Sequence, residues 1–252
     1  MSRADVLLVE LGLAASRTAA QAMIAAGRVT AEGKPVSKPS QKLDAGMHID
    51  LAADDADRFV SRGGLKLAGA LAHCGLDARG WLALDIGQST GGFTDCLLQA
   101  GARRVLGLEV GHGQLHPRLA SDTRVTTLEG INVRHVLPTD LAPYLDERVD
   151  AIVGDVSFIS LTLVLPALAA LLPEGGRLLF LVKPQFEVGP QALGKGGIVR
   201  NAALYPQVEA RIRAAAETAG FEVLDYFDSP ITGGDGNREF FIHGVRRLAA
   251  EA

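Results

Sequence analysis

Asp85 sits in a short apolar run, Leu82-Ala-Leu-Asp-Ile86. Gly87, Ser89, Thr90, Gly91 and Gly92 follow, and a helical pattern starts around Phe93. A buried parallel strand feeding a small-residue loop and a helix N-terminus is how α/β folds hold a nucleotide-like cofactor. The loop reads G-x-S-x-G-G, which differs from the dinucleotide fingerprint G-x-G-x-x-G, and it has no P-loop lysine. The pattern therefore points away from NAD and nucleoside triphosphates and toward a smaller ligand such as S-adenosylmethionine (SAM). Gly91 is expected to let the backbone approach that ligand closely. The competing reading is a loop that only makes a tight turn. Val105-Leu-Gly-Leu-Glu109 reads as the next strand, with Glu109 at its C-terminal end. A carboxylate there can accept both ribose hydroxyls of an adenosine; the alternative is a solvated acid at a strand end.

Four more charges stand out by position. Asp155 follows the strand Asp150-Ala-Ile-Val-Gly154, and Lys183 follows Leu178-Leu-Phe-Leu-Val182. Both fall at the C-terminal rim of central strands, where ligands bind in open α/β sheets. Glu239 opens the last strand after a glycine-rich turn, and Lys66 precedes the first strand of the α/β region. A lone charge at a strand end is ordinarily just solvated, but a lysine directly after five apolar residues must be paired or partly desolvated.

The elements that position these residues form two regions. In residues 1–60, Asp5–Leu11 and Thr18–Ala26 have the apolar spacing of two short helices, ended by Gly12 and Gly27, with Ser16 placed to cap the second. Val29, Val36 and Met47–Leu51 read as short strands, and Ala52–Asp57 as a linker edge. In residues 61–252, a helix runs from Ser61 to about Cys74. Strands are expected at 81–86, 104–109, 124–128, 149–154, 177–182, 221–227 and 239–245, with helices at 92–100, 160–172 and 201–219. This alternation predicts a Rossmann-like α/β domain with a seven-stranded, mostly parallel sheet covered on both faces. The last two strands, joined without room for a helix, should pair antiparallel.

Composition limits the function. The chain has 252 residues and a formal net charge of −4, with nine Lys/Arg against eight Asp/Glu in residues 1–70, so any RNA binding uses a few placed cations and no broad basic field. Arg17 and Lys38 are the leading candidates to reach a phosphate backbone, followed by Arg3 and Arg62. The two cysteines, Cys74 and Cys96, have neither metal nor disulfide spacing, and the six histidines show no ligand spacing, so no metal is expected. The first residues carry no signal-peptide pattern, and the longest apolar run, Leu161 to Leu172, is broken by Pro166. A cytoplasmic protein without membrane association is expected.

Ser61-Arg-Gly-Gly-Leu-Lys-Leu67, residues 85–98, Glu109–Leu115, Asp155-Val-Ser-Phe-Ile-Ser-Leu161 and Lys183-Pro-Gln-Phe-Glu187 resemble the TlyA family. These are FtsJ-like RNA 2'-O-methyltransferases that also carry the name haemolysin A. Gly12-Leu-Ala-Ala-Ser-Arg17, with Ile24, Gly27, Val29, Val36 and Lys38-Pro-Ser40, resembles the small RNA-binding domain named after ribosomal protein S4. The resemblance implies SAM-dependent methylation of a ribose, with cytidine as the implied target, in ribosomal RNA. Large-subunit RNA is favoured because the chain has little beyond the two domains. The family's catalytic tetrad falls on Lys66, Asp155, Lys183 and Glu239. The implied cofactor contacts are Asp85, Gly87, Ser89, Thr90, Gly91, Gly92, Phe93, Glu109, Asn132 and Asp155; the implied RNA contacts are Arg3, Ser16, Arg17, Lys38 and Arg62.

Methyl transfer from a sulfonium to a hydroxyl needs alignment and removal of a proton. A desolvated amine beside a second ammonium gives up its own proton more readily and can take that one. Lys183 is the expected base, Asp155 and Glu239 hold the ammonium groups, and Lys66 favours the developing alkoxide. Gln88 stands where the family has a small residue and is expected to crowd the cofactor or bond to it. Glu109 stands where Asp is common. Two rival classes are a non-catalytic RNA-binding assembly factor, against which the intact tetrad argues, and a pore-forming haemolysin. The missing export signal, membrane span and cationic amphipathic helix disfavour the latter.

Overall fold

The computed structural model describes residues 1–14, 16–52 and 58–248, so the expected linker edge lies, beyond Ala52, outside the described residues. The chain divides into two compact units, Met1–Asp57 and Arg58–Ala252.

The first unit contains β1 (Ser2–Arg3), α1 (Ala4–Glu10), α2 (Arg17–Ala25), β2 (Val29–Ala31), β3 (Lys34–Pro35), β4 (Lys42–Leu43) and β5 (Ile49–Leu51). Ser16 Oγ accepts a hydrogen bond from the Ala19 amide at 3.2 Å and satisfies one of the open N–H groups that begin α2. β2 is the centre of an antiparallel sheet of order β3-β2-β5, and β1 pairs separately with β4. Two-residue strands carry no alternation to read, which is why β1 and β4 are not expected from the sequence. Leu7 and Leu8 of α1, Ile24 of α2 and Val29, Val36 and Leu43 close the core. Among them lies Asp5, fully shielded, whose carboxylate accepts from Arg3, Arg17 and Gln21 at 2.8–3.1 Å. The Arg3 bond, then that of Gln21, holds this acid well below the usual carboxylate range.

The second unit is built on β6 (Leu82–Ile86), β7 (Arg104–Glu109), β8 (Val125–Glu129), β9 (Ala151–Gly154), β10 (Arg177–Val182), β11 (Phe221–Asp228) and β12 (Phe240–Arg246). Its helices are α3 (Gly63–His73), α4 (Gly92–Gln99), α5 (Pro117–Ala120), α6 (Pro138–Leu141), α7 (Leu165–Leu171) and α8 (Tyr205–Thr218). The sheet order is β11-β12-β10-β9-β6-β7-β8, parallel except that β12 runs antiparallel to both its neighbours. The seven-stranded, mostly parallel sheet and the antiparallel closing pair are as expected. Two expected helices are shortened. At 160–172 a 3₁₀ turn, Leu161–Leu163, precedes α7, and at 201–219 a 3₁₀ turn, Ala202–Leu204, precedes α8. Pro166 and Pro206 sit in the first turns of these helices, where a missing N–H costs nothing.

Strand alternation sorts the core into two layers. Leu82, Leu84 and Ile86 face α7 and α8 together with Leu106, Ile152, Phe180 and Ile212. Ala83 faces α3 and α4 with Val105, Val153, Leu181, Leu67 and Leu97. Asp85 has the parity of Ala83 and so lies beneath α4. The strand order reverses at β6, flanked by β9 on one side and β7 on the other, which opens a crevice at the strand C-termini. The reversed β12 begins at that same edge, with Phe240 opposite Val182, and this brings Glu239 beside Lys183.

Candidate active site

The crevice contains three adjoining cavities. The largest, about 710 Å³, is lined by Gly87, Ser89, Glu109, Ile131, Asn132 and all six residues from Asp155 to Ser160. A second, about 280 Å³, is lined by Arg62, Lys66, Thr90, Gly92, Phe93 and Lys183, and shares Gly87, Ser89, Asp155 and Ser157 with the first. A third, about 420 Å³, lies against Lys66, Phe158, Lys183, Gln185, Phe186 and Glu239.

Lys66, Asp155, Lys183 and Glu239 meet where the cavities join. Lys183 Nζ lies 2.5 Å from Asp155 Oδ1 and donates to Ser157 Oγ at 2.8 Å. Lys66 Nζ lies 2.6 Å from Glu239 Oε2 and 3.8 Å from Asp155 Oδ2. The charges therefore alternate, Glu239–Lys66–Asp155–Lys183, with Asp155 offering one oxygen to each lysine. Burial pushes the Glu239 carboxyl above its ordinary value, against the opposing effect of Lys66. Two ammonium groups this shielded stay only because each has a carboxylate in contact.

The expected cofactor residues fall into three groups. Gly87, Ser89, Glu109, Asn132 and Asp155 line the large cavity; Thr90, Gly92 and Phe93 line the second; Asp85 and Gly91 line none of the three. Asp85 is buried behind the loop, where its Oδ2 accepts from Thr94 Oγ1 at 2.6 Å. Burial pushes its carboxyl up to about 7, against the Thr94 bonds, with Asp155 and Glu109 adding to the rise. Gly91 is required by the fold itself, apart from any approach to a ligand. Its φ is +92°, and a Cβ would stand 2.3 Å from Leu119 Cδ1 and 2.8 Å from Leu115 Cδ1. Glu109 accepts from the Ser89 and Gly111 amides, both at 2.8 Å, so its carboxylate also ties the glycine loop to the end of β7. Asn132 Oδ1 accepts from the Arg134 amide.

Gln88 is among the residues lining the second cavity, and its side chain also reaches behind the loop. It is buried, its Nε2 donates to Thr94 Oγ1 at 2.9 Å and its Oε1 accepts from Thr127 Oγ1 at 2.8 Å. The amide fills space left by Gly107 on β7, where a Cβ would come within 2.1 Å of Gln88 Cδ. The loop is thus held from behind by β7, β8 and α4.

The expected RNA contacts do not share one surface element. Arg3 and Arg17 pair with Asp5, Ser16 caps α2, and Lys38 is exposed, all in the first unit. Arg62 belongs to the second unit, where it donates to the Thr232 carbonyl and lines the cavity of Lys66. Sequence reasoning assigned no role to Ser157 or Phe158, although both lie inside the quoted 155–161 segment. Phe158 has φ +63°, is 91% exposed, borders two cavities and lies 5.2 Å from the Phe186 ring. Its signal was a bulky apolar residue after a polar strand end, which spacing alone does not distinguish from core. Among the described residues, no group of three or more His, Cys, Asp or Glu side chains is placed to hold a metal, and no helix is long and apolar enough to cross a membrane.

Comparison with known proteins places this geometry. A family model described as FtsJ-like methyltransferase matches residues 59–246, and an S4 domain model matches residues 2–49. The chain is 40% identical over 245 residues, 96% of its own length and 88% of the other's, to the 16S/23S rRNA (cytidine-2'-O)-methyltransferase TlyA of Mycobacterium tuberculosis. It is 36% identical over 243 residues, 96% and 99% of the two lengths, to a Brachyspira hyodysenteriae protein named Hemolysin A. A solved structure of a hemolysin-named protein from Streptococcus thermophilus superposes with a TM-score of 0.76 at 42% identity, covering 98% of this chain and 89% of that one.

Proposed function

The chain belongs to the FtsJ-like methyltransferases of the TlyA family, with an S4 domain at its N-terminus, and on that footing we propose that it methylates the 2'-hydroxyl of a cytidine ribose in ribosomal RNA using SAM. The observation that carries the reading is the alternating row Glu239–Lys66–Asp155–Lys183 at the junction of the three cavities.

The residues of the large cavity suit SAM. Its volume lies within the range of small-molecule sites, and its lining is mostly apolar with a few polar groups. Glu109, at the end of β7 beside the reversal of strand order, offers two oxygens to ribose hydroxyls. Ile131, Val133 and Val156 supply apolar walls for an adenine, with Asn132 among them. Bound there, SAM supplies an electrophilic methyl group. Asp85 and Gly91 act from outside the cavity by shaping the loop, and Thr90, Gly92 and Phe93 shape its border with the lysines.

Lys183 is the base that takes the hydroxyl proton, once its Nζ ammonium has released one of its own protons to solvent. Asp155 and Ser157, in contact with that nitrogen, fix where it points and stabilise the ammonium that forms. Glu239 holds Lys66, whose positive charge faces the oxygen as it loses its proton. The exposed face of Phe158, between two cavities, gives a displaced base a surface to stack on. Lys38 and Arg17, followed by Arg3, contact phosphates, Ser16 holds the helix that presents Arg17, and Arg62 contacts RNA beside the lysines. The target is large-subunit RNA, met in the cytoplasm.

Lys183→Ala tests the assignment. The variant should bind S-adenosylhomocysteine (SAH) and ribosomal RNA as the wild type does and lose single-turnover methyl transfer. Transfer at the wild-type rate removes Lys183 as the base. Mapping 2'-O-methyl groups on ribosomal RNA from cells with and without the gene tests the substrate; identical maps overturn it.

A further inference from the structure

Of the segment Lys183-Pro-Gln-Phe-Glu187, the proposed reaction uses only the lysine. Glu187 is nevertheless the most completely satisfied acid near the site. Its side chain is 2% exposed. Oε1 accepts from the Leu161 amide at 2.7 Å, and Oε2 accepts from Ser160 Oγ at 2.7 Å and lies 3.2 Å from Arg211 Nη2 of α8. The same Arg211 nitrogen also donates to the Glu187 carbonyl. A buried carboxylate is tolerated only where its oxygens are filled this way, and two of its three partners belong to the segment that begins with Asp155.

The 155–161 and 183–187 segments are therefore joined at both ends. At one end Lys183 holds Asp155 and Ser157; at the other Glu187 holds Ser160 and Leu161. Between the two grips stands Phe158 in a left-handed conformation that its surroundings must maintain. Arg211 fastens the outer grip to α8, whose Val208 and Ile212 are buried against the sheet.

We propose that Glu187 is a positioning residue, which holds the 155–161 segment in register with the end of β10 and so sets the Lys183–Asp155 and Lys183–Ser157 contacts. This rests on the reading of Lys183 as the base. Glu187 touches no reacting atom; it acts through Asp155 and Ser157.

The test uses the full chain with Glu187→Gln, which keeps an acceptor for Leu161 and offers an amide nitrogen to Ser160 and Arg211. Single-turnover transfer from labelled SAM to ribosomal RNA from cells lacking the gene is divided by the number of SAH-binding sites. Amide hydrogen exchange at Leu161 is read in parallel. The expected result is a rate per site about 10- to 100-fold lower, as a misplacement of order 1 Å produces, with SAH and RNA affinities within about twofold and faster exchange at Leu161. Ser160→Ala, which leaves the carboxylate two of its three partners, should move both readouts the same way by less, and it serves if Glu187→Gln does not fold. A rate per site unchanged in both variants overturns the proposal. So does, in Glu187→Gln, a loss matched by an equal loss of SAH affinity, which marks general damage; Ser160 itself lines the large cavity, so for Ser160→Ala the exchange at Leu161 is the deciding readout. If the wild-type chain transfers no methyl group, the reading of Lys183 fails instead, and exchange at Leu161 decides by itself whether Glu187 holds the segment.

Discussion

Asp85 carries a cost that one atom's exchange should remove. The carboxyl is buried under α4, and burial lifts it from the ordinary 3.8 to about 7. The folded state thus keeps a proton that the unfolded chain has already lost, so this group lowers stability as pH rises from about 4 and stops doing so above about 7. The full difference corresponds to about 4 kcal/mol, of which about 2 to 3 kcal/mol develops between about pH 5 and about pH 8. Asp85→Asn keeps the shape and leaves an amide oxygen to accept from Thr94 Oγ1, but it has no charge to desolvate. The variant should therefore gain stability over the wild type by about 2 to 3 kcal/mol more at about pH 8 than at about pH 5. Trp81, the single tryptophan, directly precedes β6 and contacts the α3/α4 layer, so its fluorescence during denaturant unfolding reports this unit. An advantage equal at both pH values within about 0.5 kcal/mol would refute the reasoning, because it would mean that Asp85 stays ionised in the fold.

Gly91→Val should lower the stability of the protein even without cofactor, by about 1–3 kcal/mol from the left-handed backbone and more from contact with Leu115 and Leu119; SAH affinity should fall with it. Undiminished stability with lost SAH affinity, read by unfolding and calorimetric titration, would refute the structural role and leave a direct approach of Gly91 to the cofactor. Arg17→Ala with Lys38→Ala should weaken ribosomal RNA binding and flatten its salt dependence by about one unit of slope per lost phosphate contact, leaving SAH affinity untouched. Lys38→Ala is the cleaner arm, since Arg17 also bonds the buried Asp5. An unchanged slope with normal affinity would mean that the S4 domain docks on something other than RNA.

The central sheet was legible because parallel strands covered on both faces read as unbroken apolar runs; 104–109 and 177–182 begin and end where the sequence puts them. The first unit was less so, since a strand such as Lys42–Leu43 is set by its partner Ser2–Arg3 and by nothing in its own pattern. The same division runs through the site. Lys183 and Asp155 announce themselves as charges at the end of apolar runs, a signal contained within one element. Gln88 and Glu187 do not, because each works across elements. Gln88 fits only where Gly107, on the neighbouring strand, leaves a space, and it bonds to Thr127 one strand further out. Glu187 closes on an amide and a hydroxyl 26 and 27 residues before it and on an arginine 24 residues after it. Spacing conveys which side chains share a face of one helix or strand. It does not convey which two loops lie back to back, so residues that hold a site from behind stay silent in sequence while those that project into it can be read. Gly91 and Gln88 each carry a further role that was silent in the sequence for this one reason. Their place in the loop points to the cavity, and the space behind each is set by Leu119 and Gly107 on other elements.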